Sequence, residues 1–169
     1  STAAYLAAIT NIPLIFSTNN TEQMRLTSTG LGIGTSSLNT NSKLTISDGT
    51  SISMYWKATN TNAATRDWAI ITNNANFGDF AIRPGNSQGA DATAGTDRLL
   101  ISASGNLGLG VTPSAWSGRT AIQLPDSAYV VSSGASILFG ANVFFDGASR
   151  TYISSAFATD YRQINGEHR

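Results

Sequence analysis

Eight aspartates, two glutamates and one histidine are the acid–base groups of this 169-residue chain. His168 lies between Glu167 and Arg169 at the chain end. A catalytic triad needs a histidine held in a pocket, and a solvated terminal histidine is a poor base. Glycosidic hydrolysis needs two carboxylates about 5–9.5 Å apart. Asp79, Asp91 and Asp97 cluster in sequence and could supply such a pair. Aspartate is also a turn residue, through side-chain bonds to nearby backbone, and turn chemistry is the preferred reading. No enzymatic activity is expected. Residues 91–97 lack the alternating spacing of a calcium loop, and the absence of cysteine excludes a thiolate metal site. A hard cation on a symmetry axis is the one metal alternative; no cofactor is expected.

The glycines are the second chemical candidate. Gly30, Gly32 and Gly34 alternate with Leu31 and Ile33, while Gly105, Gly108 and Gly110 accompany Leu107 and Leu109. A dinucleotide fingerprint needs G-x-G-x-x-G between strand and helix. The spacing here is G-x-G-x-G, followed by Thr35-Ser36-Ser37 and no helical pattern. In an extended chain the aliphatic residues share one face and the glycines the other. A glycine face suits close approach of another backbone, such as three identical chains meeting at an axis. These ten residues are therefore the trimer-axis or close-packing candidates. The Ser-Thr-Gly at Gly30 and Ser-Gly-Asn at Gly105 read as tight turns with glycine at positive φ.

The elements that must position these residues follow from a repeat. Leu14-Ile15-Phe16 precedes the first glycine copy and Phe80-Ala81-Ile82 the second; Lys43–Ile46 follows the first and Ala121–Leu124 the second. Asp48 and Asp126 come two residues after those runs. Asn106 reads as the one-residue slip between copies. The division is 1–37, the end of a first β module; 38–116, a second; and 117–169, the start of a truncated third. Strand signals fall at 12–16, 23–27, 43–46, 52–57, 68–72, 79–83, 98–102, 121–124, 129–131, 136–139, 142–145, 151–154 and 161–164, bounded by turn residues. Ala3 to Ile9 could form one or two helical turns, and Pro13 argues against a central strand there.

Composition agrees. Gly, Ser, Thr and Asn supply 71 residues, whereas Lys and Glu number two each. That excludes a helical bundle. A net charge of zero with ten scattered basic residues argues against nucleic-acid binding. No apolar run approaches the ~18–20 residues of a membrane span. Ser1-Thr2-Ala3-Ala4 has neither Met nor a basic n-region, so the sequence reads as an interior or processed piece of a longer chain.

Residues Ile12 to Ser37 run apolar strand, Thr-Asn-Asn, Met-Arg-Leu, Ser-Thr-Gly, Leu-Gly-Ile-Gly-Thr, and Gly105 to Trp116 match the same pattern. This pattern resembles repeats in bacteriophage tail fibres and related virion appendages. The resemblance covers about half the chain and implies an all-β interwoven homotrimeric fibre, β-prism- or β-helix-like. It implies a virion, extracellular location, partnership with other tail proteins, and contact with a host-surface glycan or protein. In that family such repeats often precede an intramolecular chaperone domain; none is legible here, so it is expected beyond residue 169, removed, or never present. The alternatives are a polysaccharide-degrading tailspike and a capsid or neck decoration protein. Arg83, Asn86 and Gln88, in a small polar loop, are the receptor-contact candidates. Tyr55, Trp56, Trp68, Trp116 and Tyr152 are either sugar-stacking platforms or, preferably, core and inter-subunit anchors. Phe139–Phe145 is expected to be buried between subunits.

Overall fold

A computed structural model describes residues 6, 8–48, 51, 53–125, 128–133, 136–145, 149–152, 155, 157–164 and 167–168. The chain is all-β, as expected. It divides into two compact units, residues 1–52 and 53–169. Each of the thirteen expected strands overlaps an observed one; residues 52, 153 and 154 of those ranges, Asp126 and most of Ala3 to Ile9 lie outside the described residues.

The first unit holds β1 (Leu14–Thr18), β2 (Thr21–Leu26), β3 (Leu31–Ile33) and β4 (Leu44–Ile46), in that order across one sheet. β1 is an edge strand, which suits Pro13 just before it. Asn19 and Asn20 both adopt positive φ, 50° and 57°, in the two-residue turn joining β1 to β2. Such a turn matches the twist of a hairpin, and asparagine tolerates it. β2 and β3 pair antiparallel, but β3 and β4 pair parallel. A parallel link cannot be a tight hairpin, so residues 34–43 form a loop that returns the chain to the same end; residue 37 falls inside it.

The second unit repeats this plan within a longer sheet. β5 (Ser53–Trp56) and β6 (Trp68–Thr72) lead into β7 (Phe80–Pro84), β8 (Leu99–Ile101), β9 (Leu107–Leu109) and β10 (Thr120–Gln123). β11 (Ala128–Ser133), β12 (Ser136–Ala141), β15 (Thr159–Ile164) and β16 (Glu167–His168) continue it to ten strands, while β13 (Val143–Phe145) and β14 (Arg150–Tyr152) form a separate hairpin. Neighbours in the large sheet are consecutive in the chain except at β12 and β15, which meet past the β13–β14 hairpin. β7–β10 match β1–β4 in order and polarity, with β9 and β10 the parallel pair. Leu31 faces Leu44 as Leu107 faces Ile122, so the expected equivalence of Lys43–Ile46 with Ala121–Leu124 holds.

The turn before the glycine strand requires two corrections. Gly30 does not have positive φ, whereas Gly105 does, at 85°. In the first copy Thr27 N–H bonds to Gly30 O; in the second, Ser102 N–H bonds to Asn106 O. Asn106 therefore occupies Gly30's place, and Gly105 is the inserted residue. The longer loop needs a left-handed residue to rejoin the ladder, which glycine supplies without steric cost. Glycine 105 and glycine 30 are not equivalents.

One face of the large sheet is covered by the chain's own loops. Trp116, Ala121, Tyr129, Val131, Leu138 and Val143 form one buried cluster; Ala69, Ile71 and Ala92 form another. The Trp116 and Tyr129 rings lie 4.8 Å apart, tilted. Gln123, only 2% exposed, accepts from Ser114 N–H at 2.8 Å and from the Trp116 indole N–H at 3.3 Å. This ties the β9–β10 loop down onto the sheet. Thr45 does the same in the first unit, accepting from Asn39 N–H.

Candidate functional site

The glycine face is a close-packing face, and the backbone that approaches it is the chain's own. A Cβ on Gly32 would lie 2.8 Å from Thr35 O, and one on Gly108 would collide with the equivalent Val111 O. A Cβ on Gly30 would lie 2.6 Å from Lys43 O, and one on Gly34 would strike Ser47 O. Glycine is thus required because the crossover loop and the parallel neighbour press directly on these positions. Gly105 and Gly110 are governed instead by conformation: nothing lies within 4 Å of a Cβ at Gly105, and only Pro125 Cγ, at 3.5 Å, near one at Gly110. Each of the four closely packed glycines is filled within one chain, so the geometry that suggested a glycine axis is accounted for without a second copy.

Leu31, Ile33, Leu107 and Leu109 point the other way, onto the open face. There the first unit carries two rows across its four strands. One is Leu14, Leu26, Leu31 and Leu44; the other is Phe16, Met24, Ile33 and Ile46. The second unit repeats both. Phe80, Ile101, Leu107 and Ile122 form the first row, which continues through Val130 and Phe139 to Tyr161. Ile82, Leu99 and Leu109 form the second, reaching Ile70 and Met54 toward β5. Trp56 and Trp68 are direct cross-strand partners on the same face, 48% and 41% exposed. These rows are half-exposed or exposed, and contain no charged residue. The sequence made the alternation legible. It did not say which face the loops would cover, because that depends on the path of each crossover.

The polar groups lie mostly on the covered side. Asp67, 1% exposed, accepts from the Tyr55 hydroxyl at 2.6 Å and from Ala58 N–H at 2.9 Å, with Lys57 Nζ 3.9 Å away. The hydroxyl bond, then the amide, then Lys57 hold the Asp67 carboxyl below the usual carboxylate range. The same carboxylate raises the Tyr55 phenol above its ordinary value, and desolvation adds to it. Asp79 binds the 73–79 turn and Ala103 N–H. Asp91 caps the short 3-10 turn Ala92–Ala94, and Asp97 pairs with Arg83. All three aspartates considered for glycosidic chemistry thus hold backbone or a cation in place. Among the described residues no group of three potential ligands could hold a metal ion.

The Tyr55–Asp67 bond contributes to stability at both the acid and the alkaline end. A carboxyl whose folded pKa is depressed contributes stability above its unfolded pKa, lost as pH falls through the folded value. A phenol whose folded pKa is raised contributes below its unfolded pKa, lost as pH rises through the folded value. The melting temperature should therefore be level between about pH 5 and pH 9 and decline below about pH 4 and above about pH 10. Tyr55→Phe should weaken both declines, as read by thermal melts across pH; unchanged declines would remove the shared bond from the account.

The receptor-contact residues divide. Asn86 and Gln88 are exposed, but Arg83 is only 7% exposed. Its side chain turns inward, donating Nε–H to Asp97 Oδ1 at 2.7 Å and Nη1–H to Thr93 O at 3.0 Å. Arg83 is therefore corrected from loop contact to buried ion pair: it sits on β7 beside Ala81, on the covered face. Trp116 is only 4% exposed and lines a shallow cleft of about 630 Å³ together with Ser104, Ser117, Arg119, Thr120 and Ser132. Phe139 is 46% exposed on the open face. No described helix is long and apolar enough to cross a membrane.

The fold and its site define an all-β chain in which the same four-strand plan occurs in each of two units, each sheet leaving an apolar face open. Comparison with protein-family models and with curated proteins finds no match.

Proposed function

We propose that this chain is a structural segment of a homotrimeric virion tail fibre or spike that contributes to host-surface attachment. The observation that carries this reading is the repeated four-strand unit. Within the four-stranded and the ten-stranded sheet the strands lie in chain order, with β15 meeting β12 past the β13–β14 hairpin, so each added strand lengthens its sheet without changing its section. Ten strands at ~4.8 Å spacing already extend it by about 43 Å. A part that must project from a particle needs length and rigidity, and this architecture supplies both. The small-polar composition and the resemblance of the glycine motifs to tail-fibre repeats add the virion context. Other tail proteins are its proposed structural partners, and a host-surface glycan or protein its proposed target, with Asn86 and Gln88 on an exposed loop suited to contact. The role requires no nucleic acid, membrane insertion, metal or cofactor.

Native mass spectrometry with small-angle scattering tests this reading. The expected result is an elongated particle of about three times 17.7 kDa. A stable single-chain mass would overturn it.

A further inference from the structure

We infer that Trp56 and Trp68, with Asn86 and Gln88 beside them, form a binding site for an uncharged oligosaccharide. The inference deepens the attachment role proposed above and rests on it for the source of the sugar; the site itself lies within one chain.

The first observation is an aromatic platform at one end of the large sheet. β5 ends at Trp56, β6 begins at Trp68 and β7 ends at Pro84, and the three are successive cross-strand partners in one row. Pro84 is buried, whereas the two indoles remain 48% and 41% exposed. Rigid aromatic side chains of this kind offer a large contact area and have little conformational entropy left to lose on binding.

The second is the pair of loops that leave the sheet at the same end, residues 57–67 between β5 and β6 and residues 85–98 between β7 and β8. They are tied together. Gly85 N–H donates to Asp67 O at 2.9 Å, and Gln88 Nε2–H donates to Asn60 O at 2.8 Å. The Thr96 hydroxyl donates to Asn86 Oδ1 at 3.2 Å. Each of these bonds holds one end of an exposed amide. The other ends, Asn86 Nδ2 and Gln88 Oε1, make no hydrogen bond among the described residues. One donor and one acceptor are thereby fixed in advance, which lowers the entropic cost of binding. Asn86 follows Pro84 by two residues, so the amides begin where the platform ends.

The third is charge. The two loops carry Lys57, Arg66 and Arg98 against Asp67, Asp91 and Asp97, a balance of zero. No net field draws an ionic ligand to this end. The chemistry that fits is therefore an apolar surface rimmed by uncharged groups that both donate and accept. A sugar ring has that form: its C–H face lies on an indole, and its hydroxyls meet the amide donor and acceptor. An apolar platform with a few placed polar groups is also the general plan of small-ligand sites. A purely apolar ligand would use the indoles and leave the amides unpaired.

The intact chain is tested on an array of bacterial-surface oligosaccharides, uncharged and uronate-bearing, with cell-surface proteins as a separate set. Retention on uncharged sugars is expected, with a change in indole fluorescence when the same sugar is titrated in solution. For that sugar, Trp56→Ala and Trp68→Ala should weaken binding about tenfold or more. Asn86→Ala and Gln88→Ala should each weaken it about three- to tenfold. Trp56→Phe keeps an aromatic face on the edge strand and should stay within about threefold, which separates lost stacking from lost structure. Phe77→Ala removes a ring that is 82% exposed in the turn at the opposite end of β6 and should change nothing. Binding to none of the sugars, binding confined to uronates or to proteins, or tryptophan variants that bind like the parent would each overturn the site. Native mass reads the fibre separately. A single chain that binds an uncharged sugar overturns the trimer and keeps the site; a trimer that binds none keeps the trimer and overturns the site.

Discussion

Gly34→Ala should destabilise the first unit far more than Gly110→Ala destabilises the second, although the two glycines are repeat equivalents. Both end a glycine strand in the left-handed region, at φ 69° and 71°. An L-residue there costs roughly 1–2 kcal/mol, and both variants bear that cost. They differ in what the new methyl group meets. At Gly110 it finds only Pro125 Cγ at 3.5 Å, an ordinary contact. At Gly34 it collides with the Ser47 carbonyl oxygen, which is backbone and cannot rotate away. Overpacking of this kind adds about 1–3 kcal/mol. Relief requires parting β3 from the chain following β4, where Ser47 N–H bonds to Ile33 O at 2.9 Å. Urea unfolding should show the two losses separated by at least ~1 kcal/mol, and hydrogen exchange at the Ser47 amide should rise in Gly34→Ala. Equal losses would mean that conformation alone selects glycine at both positions.

That asymmetry marks the limit of what the sequence revealed. The strands were legible because short runs of Val, Ile, Leu and aromatics stand between turn residues, a local signal. The repeat was legible for the same reason, down to the pairing of Lys43–Ile46 with Ala121–Leu124. The alignment of Gly30 with Gly105 failed because residue type was matched where hydrogen-bond position decides. Asn106 N–H and O bond the Ser102 hydroxyl and amide as Gly30 bonds those of Thr27. Its side chain is moreover used, accepting from Ala121 N–H at 3.0 Å. Glycine strands β3 and β9 were read as extended, but a three-residue strand with glycine at its centre gives no strand signal of its own; its pairing comes from its neighbours. The partner of the glycine face was beyond reach for a related reason. A loop that doubles back onto its own strand within three residues leaves the same G-x-G pattern as a symmetry axis.

Arg83→Ala should cost about 3 kcal/mol or more of stability, and any loss of host attachment it causes should follow from unfolding. The replacement removes the guanidinium that Asp97 Oδ1 accepts from and the donor to Thr93 O. Asp97, whose side chain is only 15% exposed, would then keep only the Asn74 amide of these partners, at 3.0 Å. A carboxylate left in that position cannot recover its lost hydration. Removing both charges avoids this: Arg83→Met with Asp97→Leu should recover most of the loss, because replacing a buried pair by apolar side chains of similar volume is often near neutral. Asn86→Ala and Gln88→Ala lie on the exposed loop and should stay within about 0.5 kcal/mol of the parent. Urea titrations of the four proteins separate these cases, and attachment assays at a temperature where all are folded then isolate the loop. An Arg83→Ala protein that remained as stable as its parent would return that side chain to the loop's recognition surface.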